Sequence, residues 1–264
     1  MKKSALILLT AGIGAAIHHY NKQNIKEEPK EEDSVSKLAG NAEKYHLENV
    51  EALPNSPLKG KRLAFLGSSV TFGFRSLEVS FVEYIAKRNG CTYVKEAVSG
   101  TTLVDNGEKS YVQRMLNNID KDEKLDAFVC QLSTNDMHKN MPMGTITEEK
   151  ENSDTSTIAG ATEFIIDYVK KTWNCPVIFY TSPKFGKDIP QNMSEMYDDM
   201  VKMMYELKKK WDIEIIDLWN DETFNDITDM ERKLYMADPV HPTQAGYLLW
   251  WTPVIEKYLY EFVN

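Results

Sequence analysis

Five short apolar runs, each followed by a helical pattern, constrain the fold of this chain more than any other feature. The runs lie at 62–66, 91–98, 127–132, 177–181 and 213–218. Helical patterns follow at 77–88, 111–119, 158–172, 193–209 and 244–262, and Pro253 is expected to kink or interrupt the last one. Strands that are apolar throughout are typical of a parallel sheet covered by helices on both faces. The alternation therefore predicts one α/β domain, with ligands bound beyond the carboxyl ends of its strands.

The stretch before the first strand has a different composition. Lys2 and Lys3 precede an apolar run at 5–17, which is shorter than a membrane span and typical of a secretory signal. We interpret 1–20 as a signal peptide or an N-terminal membrane anchor, the alternative being an amphipathic start to the domain. Residues 21–58 are rich in Lys and Glu and are predicted to form a charged flexible tether, with a short helix near 42–49. The domain is then expected over 59–264.

The predicted leader and the charge of the chain bear on location and partners. We expect an exported protein, extracellular or anchored to the outer face of the cytoplasmic membrane, which touches the membrane only through its N-terminal segment. The net charge of −9 repels phosphate backbones, so nucleic acid is not an expected partner. Cys91, Cys130 and Cys175 form no CxxC pair and lie in or beside apolar runs. They are therefore predicted to be small buried side chains and neither disulfides nor zinc ligands.

Only two of the five histidines, His138 and His241, lie in the predicted domain. Histidine is the usual general base near neutral pH, so we look for catalysis at one of them. Asp238 precedes His241 by three residues in a turn that contains two prolines. Its carboxylate can accept a hydrogen bond from the imidazole Nδ1–H, which leaves Nε2 as the base. Capping of the following helix by Asp238 is the alternative interpretation of this pair.

Polar residues follow the first three strands where each strand ends. The first strand runs into the sequence Gly-Ser-Ser-Val-Thr-Phe-Gly at 67–73, which places Ser69 at the start of a helix or loop. Gly100 follows the second strand and Asn135 the third, and they offer a backbone and a side-chain N–H donor. A turn with Ser69 as a helix cap is an alternative, whereas a phosphate loop would need motifs that are absent. A nucleophile, oxyanion donors and a base at one sheet edge favour a hydrolytic site.

These residues resemble the motifs of the SGNH, or GDSL-type, hydrolase family, from about residue 61 onward. Ser69 stands at the nucleophile position, Gly100 matches the glycine of the second block, and Asn135 the asparagine of the third. Asp238 and His241 match the Asp-x-x-His of the last block. The resemblance implies a flavodoxin-like three-layer α/β/α sandwich with a five-stranded parallel sheet. It also implies ester hydrolysis by a Ser69, Asp238, His241 triad without metal or cofactor.

The resemblance further implies an oxyanion hole and leaves three departures to explain. The donors would be the backbone N–H groups of Ser69 and Gly100 and the side-chain amide of Asn135. Ser68 stands where the family usually has Asp, Ser133 where it has Gly, and Lys95 where it often has Asn. These departures concern the hydrogen bonding around Ser69 and the backbone shape at Asn135.

Three functions compete at this stage. The leading hypothesis is a serine esterase that forms an acyl-enzyme and acts on short-chain or acetyl esters, such as those of a carbohydrate or cell-envelope glycan. A lipid-directed lipase, lysophospholipase or thioesterase would need a long apolar groove. A non-catalytic surface binding module could share the fold, although an intact triad argues against it. Phe72, Met137 and His138 are candidate substrate contacts, with core packing or a surface loop as the alternative for each.

Overall fold

The computed structural model describes residues 34–148, 153–186 and 188–263. The predicted signal peptide or anchor at 1–20, and the first part of the predicted tether, lie outside the described residues. Within the described ranges, none of the helices has the length and apolar character needed to cross a membrane.

A five-stranded parallel sheet forms the centre of the domain. Its strands are β1 (Arg62–Gly67), β2 (Thr92–Ala97), β3 (Ala127–Gln131), β4 (Val177–Tyr180) and β5 (Glu214–Ile216). The spatial order is β2-β1-β3-β4-β5, and every neighbouring pair is parallel. The chain therefore moves to one side of β1 and then crosses to the other side. This order confirms the predicted flavodoxin-like fold and puts the switch point, where such sheets bind ligands, between β1 and β3.

Helices cover both faces of the sheet. They are α1 (Ser69–Phe72), α2 (Phe81–Asn89), α3 (Tyr111–Asn118), α4 (Thr134–His138), α5 (Ile158–Thr172), α6 (Gln191–Trp211), α7 (Glu222–Asn225), α8 (Asp229–Tyr235) and α9 (Thr252–Phe262). Ala64 and Leu66 of β1 pack in a core with α3, α5 and α6, whereas Leu63 and Phe65 pack in a second core with α2 and α9. Alternate side chains of the strand are thus buried on opposite faces, which explains its continuous apolar sequence.

Two helices begin later than the sequence pattern predicts. Helix α2 begins at Phe81 because Ser80 and Glu83 form a capping box. The Ser80 side chain accepts a backbone N–H of the first turn, and the Glu83 side chain accepts the backbone N–H of Ser80. The pattern at 244–262 divides into a π-helix (Gly246–Trp251) and α9. Pro253 is the second residue of α9, directly after the π-helix ends. The pattern is thus interrupted next to the proline, as expected.

The structure contradicts the predicted tether for residues 35–58, which pack on the domain. This stretch contains three short 3₁₀ helices, Ala39–Asn41, Glu43–Tyr45 and Leu47–Asn49, in place of the one helix expected near 42–49. Leu58 is fully buried in the core beside α2, and the Tyr84 hydroxyl donates to the Tyr45 carbonyl at 2.7 Å. The apolar side chains that anchor the stretch are few and lack a helical period. For this reason its composition resembles that of a linker.

Substitution of Leu58 tests this packing. We expect Leu58→Ala to lower the free energy of unfolding by about 2–5 kcal/mol, because it leaves a cavity in a closed core. The measurement is urea or thermal unfolding of the full chain. Glu51→Ala, at an exposed position of the same stretch, is the control and should change stability by less than about 0.5 kcal/mol. Equal, small effects of both substitutions would restore the tether interpretation.

Candidate active site

Ser69 is positioned by a tight turn at the carboxyl end of β1. A Cβ on Gly67 would lie 1.7 Å from Thr71 Oγ1, so only glycine allows the chain to fold back here. Ser69 then begins α1 and is 6% exposed. Its Oγ lies 2.8 Å from His241 Nε2, although the two residues are 172 positions apart in the sequence.

The loop between α8 and the π-helix holds Asp238 and His241. His241 Nδ1 lies 2.7 Å from Asp238 Oδ2 and 2.9 Å from Oδ1. The backbone N–H groups of Val240 and His241 also donate to Oδ1, at 2.9 and 2.8 Å. Asp238 therefore closes the turn and orients the imidazole at the same time. The alternative interpretation, that Asp238 caps the following helix, is wrong, because the N–H of Gln244 at the helix start is bonded to Asn41 Oδ1.

The surroundings of Asp238 keep its carboxylate ionised. Burial raises the pKa of this group, but the hydrogen bond and charge of His241, with the two backbone donors, lower the pKa further, and the net shift is downward. Arg75 Nε lies 3.9 Å from Asp238 Oδ2. Phe74 packs the edge of its ring against His241, with centroids 5.0 Å apart. An ionised carboxylate is the form that stabilises an imidazolium.

Gly100 and Asn135 lie in the loops that follow β2 and β3, and these loops are in contact. Asn135 Nδ2 donates to the Thr101 carbonyl at 2.9 Å, which holds the side chain against the loop that follows β2. A side-chain amide has a second N–H, which this bond leaves unused. Gly100 has a φ of +77° and open space where a Cβ would stand, so a ligand can approach its backbone.

A buried carboxylate joins these two loops. Asp136 is fully buried and accepts hydrogen bonds from the N–H groups of Leu103 at 2.8 Å and Val104 at 3.1 Å. Burial raises the pKa of Asp136, and the hydrogen bonds oppose part of that rise. The residue after Asn135 thus fixes the loop that carries Gly100.

A polar network that the sequence did not predict lies next to the turn at Ser69. Gln131 Oε1 accepts hydrogen bonds from the Ser68 N–H at 2.9 Å and the Thr71 hydroxyl at 2.9 Å. The Thr71 hydroxyl also lies 2.6 Å from the Tyr180 hydroxyl. These groups hold both ends of the turn around the serine. One signal was present, since Gln131 is a polar residue at the end of an otherwise apolar strand whose residues are all buried.

Residues 65–249 match the GDSL-like lipase/acylhydrolase family. The chain belongs to this family. The match covers more than half of the chain and includes all five positions singled out for catalysis. No curated protein sequence matches the chain.

Solved structures with the same fold include proteins from several bacteria. A Lactobacillus plantarum protein is 19% identical with a TM-score of 0.64, covering 76% of this chain and 97% of its own. An acetylxylan esterase from Geobacillus stearothermophilus is 14% identical with a TM-score of 0.54, covering 75% of this chain and 94% of its own. A Bacteroides ovatus protein named as a GDSL-like lipase is 16% identical with a TM-score of 0.55, covering 77% and 99%. Family and neighbours together support a hydrolase.

Each departure from the GDSL motifs has a local structural role. Ser68 is fully buried, and its hydroxyl donates to Gln131 Oε1 at 3.3 Å beside the bond from its backbone N–H. The Ser133 hydroxyl accepts the Asn135 N–H at 3.1 Å and so caps α4. Lys95 Nζ lies 2.6 Å from Glu83 and donates to the Phe72 carbonyl at 3.2 Å. The substitutions therefore preserve the turns at Ser69 and Asn135.

The three candidate substrate contacts have different surroundings. Met137 is 2% exposed in the core with α5 and α6, so the prediction that it contacts substrate is wrong. The Phe72 ring is half-buried with Lys95 Nζ 5.8 Å from its centre. His138 is exposed, and partial desolvation and the charge of His241 lower its pKa. In the described ranges, no group of three or more His, Cys, Asp or Glu side chains could hold a metal ion.

The lowered pKa of Asp238 predicts how stability depends on pH. An unfolded Asp has a pKa of about 3.9, so as the pH falls below about 5 the unfolded chain is protonated at Asp238 before the folded one. The stabilisation by Asp238 is therefore complete at neutral pH and is lost on acidification. We expect Asp238→Asn to be less stable than the wild type at pH 7, with a difference that narrows toward pH 3.

The measurement is the free energy of unfolding in urea between pH 3 and pH 7. Asp226→Asn, which changes an exposed carboxylate in a neighbouring loop, is the control and should show a small difference at every pH. A difference between Asp238→Asn and wild type that stays constant with pH would contradict the assignment.

Proposed function

We propose that this hydrolase is a serine esterase that removes short acyl groups, chiefly acetyl, from polar alcohols such as glycan hydroxyls. One observation carries the proposal. Ser69 Oγ, His241 Nε2, His241 Nδ1 and Asp238 form a continuous series of hydrogen bonds of 2.7–2.9 Å. A serine bonded to a base that a carboxylate orients is the arrangement that activates a hydroxyl. A binding module without catalysis would have no need of it.

The proposed reaction is a double displacement. His241 Nε2 takes the proton of the Ser69 hydroxyl as Oγ attacks the ester carbonyl, and Asp238 stabilises the imidazolium. His241 then gives the proton to the departing alcohol, which leaves an acyl-serine. Water, deprotonated by His241, attacks this acyl group in the second half. Collapse of that intermediate returns the proton to Ser69 and releases the acid.

We assign the oxyanion hole to the N–H groups of Ser69 and Gly100 and the amide of Asn135. Ser69 begins a helix, where backbone N–H groups lack helical partners. The open approach to Gly100 and the second N–H of Asn135 support the other two donors. Donors fixed in advance stabilise the charge that develops on the carbonyl oxygen without reorganising.

The lining of the cavities beside these residues favours a polar alcohol. A cavity of about 400 Å³ next to Gly100 is lined by polar or small residues, namely Ser99, Gly100, Thr101, Asn106, Gly107, Glu108, Lys109, Ser110 and Lys139. A cavity of about 300 Å³ next to Asp238 combines the charged residues Asp188, Asp229, Arg232 and Lys233 with Met236, Ala237 and Pro239. A lipid-directed enzyme would need a long apolar groove, whereas no large apolar side chain lines the cavity next to Gly100. The acetylxylan esterase among the structural neighbours acts on a substrate of the class proposed here.

We base the proposed location on the N-terminal sequence, and the net charge bears on the substrate. The basic and apolar start of the sequence supports export, with the hydrolase acting outside the cytoplasmic membrane or anchored to its outer face. The net charge of −9 supports a substrate other than nucleic acid.

Ester hydrolysis with p-nitrophenyl acetate and p-nitrophenyl decanoate tests the proposal. We expect the acetate to have the higher kcat/KM, because the cavity next to Gly100 is lined by polar or small residues, which do not favour a long acyl chain. Ser69→Ala should lower kcat on the order of 10⁶-fold, the loss typical of a missing triad serine. Mass spectrometry after fluorophosphonate treatment should show an adduct on Ser69 of the wild type and none in the variant.

Either of two results would refute this proposal. A folded wild-type protein with neither hydrolysis nor adduct would exclude an activated Ser69. A preference for decanoate with Ser69 labelled would keep the triad and replace the acetyl substrate by a lipid.

Asn135→Ala tests the oxyanion hole. We expect kcat to fall by roughly a hundredfold or more, equivalent to about 3 kcal/mol of barrier, because one donor to the developing charge is lost. Unfolding curves would confirm that the variant folds despite the lost bond to Thr101. Asn117→Ala, at an exposed position of helix α3, is the matched control and should keep wild-type turnover. Unchanged turnover in Asn135→Ala would remove this side chain from the mechanism.

A further inference from the structure

Asn41 lies in the stretch that precedes β1, outside the region that matches the family. It is 2% exposed, although the surrounding sequence is mostly polar. Its Nδ2 donates to the carbonyls of Val35 at 2.9 Å and Arg75 at 2.8 Å. Its Oδ1 accepts the N–H of Gln244 at 2.8 Å. A single buried amide thus satisfies backbone groups of three segments that are far apart in the sequence.

The stretch around Asn41 is fitted tightly against the loop that carries Asp238 and His241. A Cβ on Gly40 would lie 2.1 Å from the Leu234 carbonyl and 2.2 Å from Thr243 Oγ1, so no larger residue fits there. Leu234 precedes this loop and Thr243 follows it. The contact therefore fixes both ends of the loop against the N-terminal stretch.

The bond to Gln244 acts at the start of the helix that follows His241. The first N–H groups of a helix have no partner within it and are usually satisfied by a side chain just before the helix. Here the acceptor comes from Asn41, 203 residues earlier in the sequence. Gln244 is three residues after His241, so this bond restrains the backbone immediately after the imidazole.

The bond to Arg75 acts on the nucleophile side. The backbone is left-handed at Arg75, Leu77 and Glu78, with φ values of +68°, +55° and +62°. Residues other than glycine rarely adopt this conformation. The loop therefore needs contacts that hold it, and the Arg75 carbonyl is bonded to Asn41. From this loop, Arg75 Nε reaches to 3.9 Å from Asp238, and Phe74 packs against His241.

We infer that Asn41 is a positioning residue for the triad. It joins the loop after the nucleophile helix to the start of the helix after His241, and so sets the orientation of the Asp238–His241 pair relative to Ser69. Asn41 touches neither the triad side chains nor the space for substrate. The inference rests on the proposed function, because it assigns Asn41 to the turnover of that same site.

The test compares Asn41→Ala and Asn41→Asp in the full chain. Alanine removes all three bonds. Aspartate keeps an acceptor for the Gln244 N–H, but it loses the donors to the Val35 and Arg75 carbonyls and places its carboxylate against these two oxygens. We expect kcat for p-nitrophenyl acetate to fall by about 10- to 100-fold in Asn41→Ala with KM nearly unchanged, since small displacements of reacting groups have effects of this size. Asn41→Asp should show a fall at least as large, because its carboxylate repels both carbonyl oxygens.

A second readout does not depend on hydrolysis. The proton between His241 Nδ1 and Asp238 gives a low-field proton NMR signal, which we expect to shift or broaden in both variants. Asn49→Ala is the control, because Asn49 is exposed in the same stretch and its amide bonds only the Glu43 carbonyl among the hydrogen bonds described. It should keep both the turnover and the signal of the wild type.

The outcomes separate this inference from the proposed function. Wild-type kcat and an unchanged signal in a folded Asn41→Ala protein would overturn the positioning role. A loss of activity that matches the loss of folded protein, with the signal unchanged in what remains folded, would also overturn it. If Asn41→Ala does not fold, Asn41→Asp takes its place, and wild-type kcat with an unchanged signal in that variant would overturn the positioning role. If the wild type itself neither hydrolyses esters nor labels at Ser69, the proposed function fails, and the signal still tests the restraint on the pair.

Discussion

The hydrogen bond between Ser69 Oγ and His241 Nε2 is the constraint on which the rest of the site depends. Its 2.8 Å length is possible only if the turn after β1 and the loop after α8 approach each other across the edge of the sheet. Both partners are held by backbone geometry. Ser69 is held by a turn that requires Gly67, and His241 by a turn whose N–H groups converge on Asp238. The Tyr247 hydroxyl, on the buried π-helix, donates to the Val70 carbonyl at 2.7 Å and joins the two sides directly.

Two further sets of polar groups stabilise the loops around this hydrogen bond. Gln131, Thr71 and Tyr180 form a network under the nucleophile turn, and the buried carboxylate of Asp136 joins the loops that carry Gly100 and Asn135. Buried polar networks of this kind are costly when one member is missing, because its partners are then left without hydrogen bonds. They therefore favour one arrangement of the loops over many similar ones.

The sheet and the five candidate site positions could be predicted from the sequence, because they depend on signals that are local. Ser69 and Asn135 follow continuous apolar runs, which indicate buried parallel strands, whereas Gly100 follows the edge strand β2, whose residues are exposed or half-buried. The role of residues 35–58 could not be predicted, because Tyr45, Val50 and Leu58 are spaced without a period and their partners are distant. Asn41 cannot be told from other polar residues in the sequence, because its three partners, two carbonyls and one N–H, come together only in the folded chain. Met137 was a candidate substrate contact with core packing as the alternative, and the choice depends on which side of α4 faces the core, since a helix turns successive side chains to different sides.

The separation of these bonded partners along the chain has a consequence for when the site comes into existence. The strands β1, β2 and β3 can pair while the polypeptide is still being synthesised, since their partners are close in sequence. The base and its carboxylate follow all five strands, and the bond from Asn41 ends at Gln244. A nascent chain that has folded its sheet thus exposes a serine with no base beside it. The proposed nucleophile therefore gains its hydrogen bond to His241 only when the last third of the domain has folded onto the first.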